Sequence, residues 1–223
     1  MIDLTGLSKS FGPRTLWQDL TFTIEAGRML ALTGPSGSGK STLLNCLGLL
    51  DTPTTGTMRH QGQDITRLSP RKARLYRRDT LGYLFQNYAL IDNATIADNL
   101  DVAVKPVRSN RGSRPTLAQA LHQVGLAGRE DDIVHRLSGG EQQRVALARL
   151  IVKQPALVLA DEPTGALDLD NTHMVIATLR ALADTGCAVV IATHDPTVRD
   201  LCDSVLQVGT TTHPNSVKGI TAA

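Results

Sequence analysis

The sequence predicts an α/β protein: a mainly parallel sheet core with helices on both faces, an antiparallel β unit at the N-terminal end and a helical insert in the middle. Three patterns carry this expectation. Residues 2–33 alternate apolar and polar, punctuated by Gly6, Gly12-Pro13 and Gly27, which reads as strands joined by tight turns. Residues from about 88 to 152 are mostly helical in pattern. From residue 156 onward short apolar runs alternate with helical stretches, and strand–helix alternation builds a parallel sheet covered on both sides.

Taken in order, Met29-Leu30-Ala31-Leu32-Thr33 is a short apolar strand, and residues 42–50 form an apolar helix. Residues 52–66, with turn chemistry around Gly56 and Gly62, read as a strand pair. Ser69 then stands as N-cap and Pro70 in the first turn of a helix. Its Arg71, Lys72, Arg74, Arg77 and Arg78 read as one solvated face, near an anionic lipid surface, in preference to a nucleic-acid patch. Residues 81–85 are a strand ending at Gln86, and residues 106–115 hold a polar, basic surface loop inside the helical insert. Strands over 156–160, 188–192 and 204–208 alternate with helices over 171–183 and 196–202, and the polar tail 210–223 is expected to be loosely held. Residues 1–223 thus read as one domain, with 1–86 and 153–209 supplying the core and β unit and about 87–152 the insert.

Composition narrows the functions. The chain has 223 residues, enough for one large or two small domains with ample core. A net charge of +2 gives no electrostatic case for nucleic acid as the main partner. Three widely spaced cysteines (Cys46, Cys187, Cys202) and no CxxC suit a reducing compartment and argue against a disulfide framework or a zinc site. No basic-then-apolar leader opens the chain, and no run approaches the ~18 apolar residues of a spanning helix, so a membrane role is expected to need another chain.

Between the strand 29–33 and the helix that follows, Gly34-Pro35-Ser36-Gly37-Ser38-Gly39-Lys40-Ser41-Thr42 reads G-x-x-x-x-G-K-S, the phosphate-binding loop of P-loop NTPases. Glycines let the backbone curl so that successive N–H groups face an anion. The helix aims its positive dipole end at the same place. Lys40 is then expected to reach the β- and γ-phosphates, and the Ser41 hydroxyl to ligate Mg²⁺. Phe11, in an exposed turn, suits stacking on an adenine ring; plain core packing is the alternative.

Leu137-Ser138-Gly139-Gly140-Glu141-Gln142-Gln143-Arg144 is a capping box, Ser138 with Glu141, that carries two glycines in its first helical turn. Each glycine costs up to about 1 kcal/mol of helix propensity, which makes sense if a phosphate must approach the backbone there. The loop at Gly34–Ser41 followed by this octapeptide resembles the ATP-binding subunits of ABC transporters, and later motifs agree in order over about residues 2–209. Residues 157–163 look like the Walker B strand, with Asp161 and the catalytic Glu162. Residues 165–168, ending in Asp168, resemble the D-loop, and Thr193-His194-Asp195 the switch histidine. Gln86 stands at the Q-loop position and Phe11 at that of the adenine-stacking aromatic, as Phe where Tyr is commoner. His135-Arg136 departs from the wording many relatives have before the octapeptide. Residues 164–168 and the compact size are similar to the branch that includes macrolide, lipoprotein-release and haem exporters.

The resemblance implies an ATPase using ATP and Mg²⁺. The backbone of residues 37–42 and Lys40 hold the phosphates, while Ser41 and Gln86 coordinate Mg²⁺ with Asp161 acting through its water shell. Glu162 orients or deprotonates the attacking water, and His194 contacts the γ-phosphate. Lys40 and Ser138 stand 98 positions apart, and the resemblance implies that they meet only across a head-to-tail pair of copies. Ser138, Gly139, Gly140, Glu141 and Asp168 would complete the partner copy's nucleotide pocket. A separate permease chain would dock beside Gln86 at the cytoplasmic face of the membrane and choose the cargo. A related ATPase that transports nothing, serving mechanotransmission or iron–sulfur assembly, stays open.

Overall fold

The computed structural model describes residues 1–104, 115–165, 169–209 and 218–219. Strands β1 (Ile2–Phe11) and β2 (Arg14–Ile24) form an antiparallel hairpin that turns at Gly12-Pro13 and pairs Phe11 with Arg14. Strand β3 (Met29–Thr33) leads through the phosphate-loop residues into α1 (Lys40–Leu47). The chain then returns to the other edge of β1 as β4 (Thr55–His60) and the short β5 (Gln63–Asp64), completing an antiparallel sheet ordered β2-β1-β4-β5.

Helix α2 (Pro70–Thr80) has Ser69 at the N-cap position as expected, but the Ser69 hydroxyl makes no capping bond; only its carbonyl is used, accepting from Ala73 N–H. Strand β6 (Leu81–Leu84) is followed by the insert: α3 (Ile96–Val104), α4 (Leu117–Gln123), a 3₁₀ turn at Val134–Arg136 and α5 (Gly139–Lys153). The expected surface loop around 109–115 lies, except for Pro115, outside the described residues. Strand β7 (Leu157–Asp161), helix α6 (Leu169–Asp184), strand β8 (Ala188–Ala192), helix α7 (Pro196–Asp200) and strand β9 (Ser204–Gln207) complete the alternation. The tail departs from expectation at one point: β10 (Lys218–Gly219) pairs antiparallel with β9. The second sheet runs β10-β9-β3-β8-β7-β6, parallel apart from β10.

Strand periodicity divides the core. Leu30, Leu32, Leu157, Leu159, Val190 and Ala192 point to the face shared with α1 and the antiparallel sheet. Their neighbours Met29, Ala31, Val158, Ala160, Val189 and Ile191 point to the face covered by α3, α5 and α6. With both faces buried these strands read as continuous apolar runs, as central parallel strands do. Register then sets the site: Leu32 lies level with Ala192, and Ala192 with Asp161. The carboxyl ends of β3, β8 and β7 therefore release the phosphate loop, Thr193-His194 and Asp161-Glu162 at one edge, where open α/β sheets bind ligands.

Candidate functional site

The loop after β3 curls as its glycines allow. Gly34 (φ +143°) needs its missing side chain, because a Cβ there would stand 2.3 Å from the Val208 carbonyl oxygen. Gly39 (φ +93°) is the N-cap of α1 and packs under Trp17, whose indole Nε1 donates to the Gly39 carbonyl at 3.3 Å. The first N–H groups of α1 have no partner inside their own helix and face outward with its positive dipole end. Lys40 Nζ lies across the loop, donating to the carbonyls of Gly34 (2.8 Å) and Pro35 (3.2 Å). Ser38 differs from its neighbours. Its side chain is buried against Gly34 and Gly209, and its hydroxyl has no hydrogen-bond partner, so Ser38 can offer a ligand only its backbone.

An open cleft of about 590 Å³ borders the loop, lined by Ser36, Gly37, Gly39, Lys40, Ser41 and Thr42 together with Phe11, Arg14, Leu16 and Glu162. Phe11 is 54% exposed at the cleft wall, which decides against core packing. Arg14 and Trp17 escaped the sequence reading. Arg14 Nη2 donates to the Gly37 carbonyl at 3.2 Å, and only the hairpin register could have announced that the β2 side chains buttress the loop.

Opposite the loop, Ser41 Oγ donates to Asp161 Oδ1 at 3.1 Å. Burial pushes the Asp161 carboxyl above its ordinary range; the Ser41 hydrogen bond and Lys40 pull it back, while Glu162 adds to the rise. Glu162 holds a left-handed backbone (φ +46°), and its N–H donates to the Ala192 carbonyl at 2.9 Å. Strain of this kind at a non-glycine residue costs of order 1–3 kcal/mol and persists only where the surroundings impose it. The Glu162 carboxylate pairs with His194 Nδ1 at 2.9 Å. The hydrogen bond to Glu162 raises the His194 pKa, with the carboxylate's charge adding to it. Gln86 lies on the other side of Glu162, lining a small cavity with Glu162, Tyr88, Gln143 and Pro163, and is absent from the walls of the loop cleft.

Ser138 caps α5 as its spacing predicts. Its hydroxyl accepts from Glu141 N–H at 3.3 Å and donates to Glu141 Oε2 at 2.8 Å, and the same carboxylate accepts from Ser138 N–H at 2.7 Å. Arg129, unmarked in the sequence, pairs with Glu141 and with Asp132, and it is the main reason the Glu141 carboxyl is held down at about 2. The two glycines have different reasons. Gly139 is exposed, with nothing nearer than the Tyr88 hydroxyl at 3.7 Å, whereas a Cβ on Gly140 would meet the Asn171 amide at 3.1 Å. Residues 138–141 contribute nothing to the walls of the loop cleft in the same chain. Asp168 lies outside the described residues.

Fold and loop together define an ATP-binding cassette architecture, and the comparisons with known proteins agree. The chain belongs to the ABC transporter family, whose family model matches residues 17–165, more than half of its length. It is 41% identical over 215 residues to the macrolide export ATP-binding/permease protein MacB of Escherichia coli. It is 39% identical over 213 residues to the MacB of Salmonella typhimurium strain LT2. These alignments take in 91% and 93% of this chain but 33% of each relative, so the chain spans about a third of the length of the curated relatives it matches. Among solved structures it is similar to the dimeric ABC transporter cassette MJ0796, with a TM-score of 0.82 at 32% identity over 93% of this chain and 94% of that one. A dimeric post-hydrolysis state of the MJ0796 cassette bound to ADP and Pi matches with a TM-score of 0.81 at 30% identity, covering 94% of both chains.

Proposed function

We propose that this chain binds and hydrolyses ATP, that two copies close head to tail around two nucleotides, and that the closure drives a membrane exporter through a permease on a separate chain. One observation supports the catalytic part above others: the loop carrying Lys40 and Ser41 shares its cleft with Glu162, which pairs with His194, and is joined to the adjacent Asp161 by the Ser41–Asp161 hydrogen bond. Phosphoryl transfer asks a protein chiefly for positioning and charge stabilisation. Lys40 and the backbone N–H groups of residues 37–42 hold the phosphates, and Phe11 is the platform for the base. Glu162 takes the proton of the attacking water or orients it, while His194, paired with that carboxylate, contacts the γ-phosphate.

The donors suit Mg²⁺. Ser41 and the half-buried Asp161 offer hard oxygens, and a carboxylate raised by burial gains more from a nearby cation than a solvated one. Ser41 and Gln86 would hold the ion with Asp161 through its waters, and it would neutralise charge on the phosphates.

Dimer closure is favoured by the outward-facing tip of α5. Ser138 and Gly139 are exposed and take no part in their own chain's cleft, and the similar MJ0796 cassettes are dimeric. Glu141 and Asp168 belong to the same composite pocket in this reading. The exporter role follows the MacB relatives, which are ATP-binding/permease proteins. No described helix is long and apolar enough to cross a membrane; in this reading the permease supplies the membrane part and holds the chain at the cytoplasmic face.

Glu162→Gln tests the assignment. It keeps the side chain's size and removes the base, so it is expected to lower ATP turnover at least ~100-fold while ATP binding and ATP-dependent dimerisation persist. Turnover at the wild-type rate in that variant would refute the catalytic role.

A further inference from the structure

The Phe11 ring is not free-standing. Lys9, two residues earlier on β1, is only 6% exposed, and its ammonium lies 4.7 Å from the centroid of the ring. The same ammonium donates to Asp51 Oδ1 at 2.6 Å and to the Thr52 carbonyl at 2.7 Å. Asp51 in turn is fastened to the helix of the phosphate loop: its N–H donates to the carbonyl of Asn45, within α1, at 3.2 Å. The following segment is laced to β1, with Thr54 N–H on the Ser8 carbonyl (2.8 Å) and Ser10 N–H on Thr54 Oγ1 (3.0 Å). A continuous path therefore runs from the aromatic ring through Lys9 and Asp51 into the helix whose other end carries Lys40 and Ser41.

We propose that Lys9 is a positioning residue for the nucleotide base: it fixes the Phe11 ring at a set distance from the phosphate loop and prepares its open face for a purine. The chemistry has two parts. A cation against one face of a ring draws π density towards itself, leaving the outer face poorer in electrons and better suited to stacking on an electron-rich purine. The ring is also held in place before the ligand arrives, so less side-chain freedom is lost on binding. A buried lysine needs such partners; an ammonium left there unpaired would be costly. This inference rests on the reading of Phe11 as the base platform and adds to it the residue that sets the platform.

The test uses Trp17, the single tryptophan of the chain, whose indole is bonded to the phosphate loop and reports on its occupancy. The full chain and its variants are titrated with ATP and, separately, with tripolyphosphate, which has the phosphates but no base. Lys9→Met is expected to weaken ATP binding about five- to tenfold, the scale of having to order a free side chain on binding, and to leave tripolyphosphate binding unchanged. Lys9→Arg is expected to recover most of the ATP affinity, and Lys9→Met to add nothing in a Phe11→Ala background. Should Lys9→Met fail to fold because Asp51 is left unpaired, the double variant Lys9→Met/Asp51→Asn removes that charge and makes the same comparison. Equal weakening of both ligands, or a Lys9→Arg variant no better than Lys9→Met, would overturn the proposal by showing that Lys9 acts on the loop as a whole. If Phe11→Ala binds ATP as tightly as the unaltered chain, the platform reading fails and the proposal with it; turnover and the Glu162 assignment would be untouched.

Discussion

Arg149 on α5 holds a turn that would otherwise be hard to keep. Tyr88 and Ala89, two and three residues beyond Gln86, both have left-handed backbones (φ +60° and +46°) although neither is glycine. The half-buried guanidinium of Arg149 donates to their carbonyls, at 2.8 Å to Tyr88 and 2.7 Å to Ala89. Removing it as Arg149→Met keeps the unbranched stem and deletes both bonds. Hydrogen bonds to a charged group are worth about 1.5–3 kcal/mol each, so roughly 3–6 kcal/mol of bonding is lost. If the turn relaxes, two residues leaving the left-handed region return about 1–2 kcal/mol each. Taking the middle of each range, the net is a destabilisation of about 1.5 kcal/mol, with the damage confined to the turn. Two measurements check this. The urea unfolding midpoint should fall modestly, and amide hydrogen exchange over residues 87–91 should accelerate at least ~10-fold while β3 and β8 keep their protection. Unchanged exchange in the turn, or equal acceleration in β3 and β8, would refute the reasoning, since the first denies the clamp and the second makes the loss global.

Two further outcomes follow from the site. Because pairing with Glu162 raises the folded pKa of His194, the stabilisation from this pair is complete below about 6.5, the unfolded value, and fades as pH climbs through the higher folded one. The stability advantage of the unaltered protein over His194→Ala should therefore shrink between pH 6 and 9, and in Glu162→Gln an NMR titration should place the His194 pKa lower. Gly34→Ala forces a Cβ to 2.3 Å from the Val208 carbonyl oxygen at φ +143°, which should cost about 2–4 kcal/mol in chemical denaturation, whereas Gly62→Ala at φ +80°, with open space around it, should cost only ~1 kcal/mol.

The parts of this molecule that depend on local pattern were legible before any coordinates. The phosphate loop, the capping box at Ser138, the apolar strands and the hairpins each announce themselves within about ten residues, because turn chemistry and side-chain period are local properties. The resemblance to a known family then named Gln86, Glu162 and His194, which spacing alone could not have singled out. What could not be read was anything set by which strands lie side by side. That Asp161 faces Ser41 across 120 positions follows from the order β3-β8-β7, and no local signal encodes it. The same holds for Arg129 beneath Glu141, for Trp17 and Arg14 behind the loop, and for Lys9 with Asp51. Ser38 adds what the motif cannot say: packing turns its hydroxyl inward against Gly34 and Gly209 and leaves only its backbone to face a ligand.

Helix α5 ties these pieces into one body. At its N-terminus stand Ser138 and the exposed Gly139; one turn on, the buried Gln143 donates its amide to the Pro163 carbonyl, one residue past Glu162. Further along, Arg149 grips the turn after Gln86, and Lys153 in the last turn donates to the Arg77 carbonyl at the foot of α2. A 15-residue helix is about 22 Å long and stiff, and its buried face is packed into the core. Close-packed cores do not deform smoothly, so a shift at the Gln86 turn or at Glu162 cannot be absorbed within α5 and must move it as a unit. The tip at Ser138 then travels with it. In the proposed dimer that tip meets the partner's nucleotide, so the bonds from Gln143 and Arg149 would make the state of one site felt at the other without any longer chain of contacts.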